Sequence, residues 1–430
     1  TAMRRLSSKG GAILLTALVA MCATAFGPNL QPQARAAAAA NDTLVFGSTT
    51  EPDSLNPVIT VYAVGTDVDS AVYDSLVASD QNNTIYSQLA TSYSHSADGR
   101  TWTFHLRHGV RWGDGQPFTS ADVAYTERAI LNPKNLIVTT LGWDQIDKLS
   151  TPDKYTVIFH LRKVVGPFLV LVGYTMILPQ HIYDKPGVNF NTTTFNRTPF
   201  GTGPYMVSEW KAADHITLVP NPYSWRGQPF FKKIIYKIVP NNNTQLVQLS
   251  TGALDMGVVS QDLVDQARHI PGKRLVVGDA NAWYHIDLKE WSFLRETVVR
   301  QALDYATPKE AIFKGILKGF GQIAYADIDP AYKQYYNPNM PKHPFSLAKA
   351  AAMLAADGFT KGPDGVLQKG GQPFAMELWT ISNDDIGQRI DQLLKNLWGT
   401  IGIKVTLRSQ GAIALFGPCL LYTSDAADDL

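Results

Sequence analysis

Residues 98–123, DGRTWTFHLRHGVRWGDGQPFTSADV, decide how this chain is read. Trp102, Phe104 and Leu106 alternate with Thr101, Thr103, His105 and Arg107, the period-two pattern of a strand buried on one face. Gly109 interrupts the strand and Gly113-Asp114-Gly115 makes a tight turn. Thr119 or Ser120 then caps a helix that starts at Ala121-Asp122. A second alternating strand, Tyr155 to Leu161, follows that helix. Together these make a mixed strand–helix scaffold without a catalytic loop.

Upstream, Thr43 to Gly47 reads as a short buried strand, and Glu51-Pro52-Asp53-Ser54-Leu55-Asn56-Pro57 as a rigid loop leaving its end. Such loops commonly carry binding groups in open α/β sheets. Asp67 to Ala78 has the apolar spacing of an amphipathic helix. Downstream, Gly201-Thr202-Gly203-Pro204-Tyr205 is a turn into a strand. It is not a phosphate loop, which needs Lys then Ser or Thr after its last glycine, and Pro204 lacks an N–H. Strands are expected at 216–219, 234–239 and 254–258, with a helix at 244–250 that ends on Gly252. The texture changes after Gly278. Strands are expected at 283–288, 374–380 and 401–408, with helices at 297–306, 309–315, 346–356 and 385–398. A domain boundary is placed near residue 280.

The 430 residues are 45% hydrophobic and 17% charged, with a formal net charge of +1, so nothing points to a nucleic-acid partner. The two cysteines, Cys22 and Cys419, lie near opposite ends and do not form a disulfide framework. Arg4, Arg5 and Lys9 precede an apolar run from Ala12 to Phe26, and Ala34-Arg35-Ala36 follows, the layout of a secretory signal peptide over residues 1–40. Val19-Ala20-Met21-Cys22 is similar to a lipoprotein box, although Met21 stands where a small residue is wanted; soluble secretion is preferred to lipidation at Cys22. No nucleophile elbow, zincin, Walker, Cys-x-x-Cys or Rossmann motif is present, so no enzyme chemistry and no cofactor are expected. His105 and His108 would point to opposite faces of a strand, which argues against a shared metal.

Taken in order, these stretches resemble the family 5 extracellular solute-binding proteins, the oligopeptide- and dipeptide-binding proteins of ABC importers. The resemblance rests on the loop 51–57, Val72-Tyr73-Asp74-Ser75-Leu76-Val77, the stretch 98–123, Gly201 to Tyr205, Leu254-Asp255, Val299 to Leu303, Gly358-Phe359, Asp364-Gly365 and Gly402. It implies an α/β, two-lobed periplasmic-binding-protein-like fold (type II, cluster C) with an extra subdomain in the first lobe. Lobe 1 would span 41–280, with the insertion at about 80–198, and an incomplete lobe 2 would span 281–416. The implied activity is delivery of peptides to membrane permease subunits by a monomer that closes around its ligand. An oligosaccharide or nickel chelate is the alternative cargo, and a secreted hydrolase the alternative class. Candidate ligand contacts are Glu51, Tyr62, Trp283, Tyr284 and Asp287, the last standing where the family commonly has Asn. Residues 417–430, beginning Gly417-Pro418-Cys419, resemble translated sequencing adapter and are expected to be non-native, leaving a fragment that aggregates or binds ligand poorly.

Overall fold

The computed structural model describes residues 42–80, 84–278, 284–288, 292–326, 336–382, 384–411 and 415. The expected signal peptide, Cys22, Trp283 and the C-terminal tail lie outside the described residues. The chain divides into two compact units, which change over between Leu275 and Val276.

In chain order, the first unit contains β1 (Thr43–Ser48), α1 (Ala63–Val72), β2 (Val77–Ser79), β3 (Ile85–Ser87), β4 (Ala90–His95), β5 (Thr101–Leu106) and α2 (Ser120–Leu131). Then come β6 (Ile146–Asp153), β7 (Thr156–Leu161), β8 (Tyr205–Lys211), β9 (His215–Pro220), β10 (Lys233–Ile238), α3 (Asn242–Thr251) and β11 (Met256–Gly257). Its main sheet has the order β11-β1-β10-β9-β8. β1 runs parallel to both β10 and β11, whereas β9 pairs antiparallel with β10 and β8. Phe46 and Tyr236 are register partners on β1 and β10, with ring centroids 5.4 Å apart in the core. Asp255 extends this ladder: its N–H donates to the Val45 carbonyl, and its carboxylate accepts from the Val45 N–H at 2.8 Å.

A second, antiparallel sheet has the order β4-β5-β7-β6. Phe104, Leu106, Val157, Phe159 and Leu161 are its buried set, as the alternation in the sequence requires. Helix α2 packs on β6 and β7. It is capped by Thr119, whose hydroxyl accepts from the Ala121 N–H at 3.3 Å while the Asp122 carboxylate accepts from the Thr119 N–H at 2.9 Å. His108 stacks on Tyr155, with centroids 3.9 Å apart.

Two stretches noted in the sequence prove to be halves of one joint. The Gly203 N–H donates to the Val72 carbonyl at 2.8 Å. A Cβ at Gly201 would lie 2.0 Å from that carbonyl oxygen, and one at Gly203 would lie 2.7 Å from it, so no side chain fits at either position. Beside them the buried Asp74 carboxylate accepts from Thr202 (3.0 Å), from the Trp225 indole (2.9 Å) and from the Arg226 guanidinium. The Asn221 side chain donates to the carbonyls of Gly201 and Gly203.

The second unit contains α4 (Thr297–Tyr305), α5 (Leu347–Ala356), β12 (Thr360–Lys361), β13 (Leu367–Lys369), β14 (Gln372–Pro373), β15 (Ala375–Ile381), α6 (Asp385–Thr400) and β16 (Lys404–Gln410). β15 and β16 are parallel and joined by α6, a β-α-β unit. Val299, Leu303, Leu354, Phe359, Phe374, Leu394, Trp398 and Ile403 form its own core. Lys369 ties the three-stranded sheet β12-β13-β14 to the helices, meeting Glu296 at 2.6 Å and Asp357 at 2.8 Å.

Four expectations need correction. The first helix spans 63–72, not 67–78, because Tyr73 turns extended and Ser75 is held by Gln88 and by a bridge to Met176. Residues 284–288 form no strand. Beyond Lys309–Ala311 the expected helix widens into a π-type turn over Ile312–Ile316. Ile401 and Gly402 close the preceding helix through bonds to Trp398 and Gly399, so the last strand starts at Lys404.

Substitution at the joint tests its role. Gly203→Ala is expected to cost about 3 kcal/mol through overpacking, and Asp74→Ala about 3 kcal/mol by orphaning the Arg226 charge. Urea unfolding followed by circular dichroism reads both; wild-type midpoints would refute the assignment.

Candidate functional site

In an open α/β sheet, ligands bind outside the carboxyl ends of the parallel strands. Here those ends are Ser48, Ile238 and Gly257, and a segment leaves each of them. The longest is the loop 49–62 between β1 and α1.

That loop is built from side chains turning back on their own backbone. The Asp53 carboxylate accepts from the Thr60 hydroxyl at 2.7 Å and from the Val61 N–H at 3.1 Å. Asn56 accepts from Val58 N–H through its side chain, and from the N–H groups of Ile59 and Thr60 through its carbonyl. Its amide donates to the Asn196 side-chain oxygen at 3.3 Å, which also accepts from the Tyr183 hydroxyl at 2.8 Å. The Leu55 N–H donates to the Asn196 carbonyl, and the Val138 N–H to the Val58 carbonyl. Gly65 lies so close that a Cβ there would stand 2.2 Å from the Thr60 hydroxyl. The loop is therefore a rigid shelf. Val61 in the loop and Val138, bonded to it, remain exposed, leaving apolar surface beside a polar backbone.

Four of the five residues proposed from the sequence have a definite setting; the fifth, Trp283, lies outside the described residues. Glu51 is engaged within the first unit: its two carboxylate oxygens accept from the Trp210 indole at 2.7 Å and from the Ala213 N–H at 3.1 Å. Ala213 has φ of 57°, a left-handed conformation unfavourable for alanine, and Glu51 helps to hold it there. Arg197 covers the same Trp210 ring at 3.9 Å. Tyr62 begins α1, accepting from the Gly65 and Thr66 N–H groups, and packs on the first core. Tyr284 is half exposed, but desolvation and the Asp384 carboxylate push its phenol up to about 12. Asp287 is exposed and pairs with His285 at 3.2 Å. Glu51 and Tyr62 belong to one unit, Tyr284 and Asp287 to the other.

The sequence reading passed over the acids of α1. Burial pushes the Asp67 carboxyl up to about 7. Asp69 is fully buried, and burial followed by the Asp53 carboxylate pushes it well above the usual carboxylate range. A signal was present: Asp69 sits among Val64, Val68, Ala71 and Val72 on the buried face of the helix. Among the described residues, no group of three or more His, Cys, Asp or Glu is arranged to hold a metal, and no helix is long and apolar enough to cross a membrane.

The fold is that of two-lobed solute-binding proteins of the periplasmic type. The model for bacterial extracellular solute-binding proteins, family 5 Middle, matches residues 84–416, and the chain belongs to that family. It is 30% identical over 351 residues to Protein XP55 of Streptomyces lividans, covering 81% of this chain and 63% of the relative. It is similar to the oligopeptide-binding protein AppA of Bacillus subtilis, at 28% identity over 84% of this chain and 68% of the relative. The solved structure of AppA with a nonapeptide superposes with a TM-score of 0.80 at 27% identity, covering 87% of this chain and 75% of that one. NikZ of Campylobacter jejuni in complex with Ni(L-His) gives 0.75 at 25% identity, covering 86% and 74%. The chain thus spans about two thirds of the length of its curated relatives, 63% and 68% for these two.

Glu51→Ala should release the Trp210 indole and the strained Ala213 turn. The expected cost is about 2 kcal/mol for hydrogen bonds to a charged acceptor, with a shift in tryptophan emission. Unchanged stability and emission would show that the carboxylate is not needed by the hairpin.

Proposed function

We propose that this chain is the ligand-capturing part of an ABC importer, exported from the cytoplasm, which takes up a short peptide and presents it to membrane permease subunits. The observation that carries this reading is the likeness to AppA, whose solved structure holds a nonapeptide, at a TM-score of 0.80. The shelf at the strand ends supports it: fixed backbone beside exposed apolar side chains suits an extended peptide, whose main chain needs hydrogen bonds and whose side chains need room. Tyr62, Trp283, Tyr284 and Asp287 are the residues proposed to contact the ligand. Glu51 would act mainly by holding the hairpin that frames the shelf. The protein works as a monomer by closure around ligand and performs no catalysis. Residues 1–40 act as the export signal, with Cys22 lipidated only if the lipoprotein box is used.

A nickel chelate is the second reading, favoured by the likeness to NikZ with Ni(L-His). With no metal-holding cluster among the described residues, the chelator would supply most of the ligands.

Thermal-shift screening of the full-length protein against short peptides, oligosaccharides and nickel–histidine separates these readings. Peptides are expected to raise the Tm in a concentration-dependent way, as ligand binding to the native state must, and to be recovered intact. Stabilisation by nickel–histidine alone would favour the second reading. Steady consumption of the added peptide would overturn the binding assignment.

A further inference from the structure

Asp69 is the one acid of α1 with no route to solvent: its relative exposure is 0%, and neither carboxylate oxygen has a hydrogen-bond partner among the described residues. Burying a lone carboxylate costs far more than burying a neutral acid, so such a group takes up a proton instead. The groups that bear on it are all neutral or negative. Asp53 faces it from the loop 49–62, Tyr73 from the end of its own helix and Tyr183 from the Gln180–Tyr183 turn. Burial raises both phenols well above their ordinary value, so they stay un-ionised beside it. No lysine, arginine or histidine is among them. Asp67, on the same helix, is likewise held high by burial.

The contacts of these groups reach the shelf. Asp53 fixes Thr60 and Val61, while Tyr183 bonds Asn196, which holds Asn56 and Leu55. Two carboxyl groups therefore share one region, that of Asp53 tied into the loop and that of Asp69 buried beneath it. A charge on Asp69 would face the Asp53 carboxylate with no hydrogen bond to offset it.

We propose that Asp69 is a proton-holding switch: its neutral form lets the loop 49–62 lie closed on α1, and loss of that proton drives the loop away from the helix. The sign follows from linkage. Above about pH 4 an unfolded aspartate has lost its proton, whereas folded Asp69 keeps it, so this group favours the closed state most at low pH. That contribution declines as pH rises, until Asp69 itself ionises.

Hydrogen exchange of peptides covering residues 51–62, read by mass spectrometry and corrected for intrinsic rates, tests the switch on the full chain. Wild-type protection is expected to fall with rising pH, by up to about tenfold per pH unit, whereas Asp69→Asn, neutral at every pH, should lack that component. Asp53→Asn keeps an acceptor for Thr60 and Val61 but removes the carboxylate that faces Asp69, and should make the fall in protection with pH smaller. The same pH profile in Asp69→Asn as in wild type would overturn the proposal. So would an unmoved profile in Asp53→Asn, which keeps the test open if the first variant does not fold.

Discussion

The close approach of Gly201 and Gly203 to the Val72 carbonyl is the contact on which the first unit depends. It brings the end of α1 against the entry to β8, and so joins the main sheet to the segment that leads toward the second sheet. Backbone this close to backbone excludes side chains and leaves peptide groups to be satisfied in a dry place. Asn221 does part of that by donating to both glycine carbonyls. Asp74 does the rest by gathering donors from Thr202, Trp225 and Arg226 around one buried charge. A buried charge of this kind favours one arrangement strongly, because each alternative leaves it unpaired.

The loop above α1 inherits its rigidity from that fixed helix. Its turns are made by short polar side chains bonding their own backbone, the use to which Asp, Asn, Ser and Thr are best suited. Its outer bonds go to Asn196, buried and held by Phe190 and Tyr183. The result is a preorganised surface, of the kind on which a ligand pays a lower ordering cost. The same compactness brings Asp53 and Asp69 together, so the feature that makes the shelf rigid also makes it sensitive to protons.

The second unit reaches order by other means. Its helices α4 and α5 pack on each other around Leu303 and Leu354, and its parallel pair β15–β16 is bridged by α6. Lys369, between Glu296 and Asp357, pins a small sheet to this core. With its own buried cluster, each unit is organised locally.

Much of this was legible in the sequence by itself. The alternation of Trp102, Phe104 and Leu106, the cap at Thr119 and the ordered run of motifs gave the α/β class and the family, because strand period, capping and turn chemistry are local properties. Asp69 was missed, although it stands as an acid on an apolar helical face, because its meaning depended on what lay opposite. Only the tertiary structure decided that Glu51 is spent on Trp210 and Ala213, that α1 stops at Val72, and that Gly201 meets Val72. Each of those depends on residues more than a hundred positions apart, or on a neighbour outbidding helix propensity for Tyr73 to Ser75. Local pattern sets which face is buried; the partner across the contact sets what a polar group on that face must do.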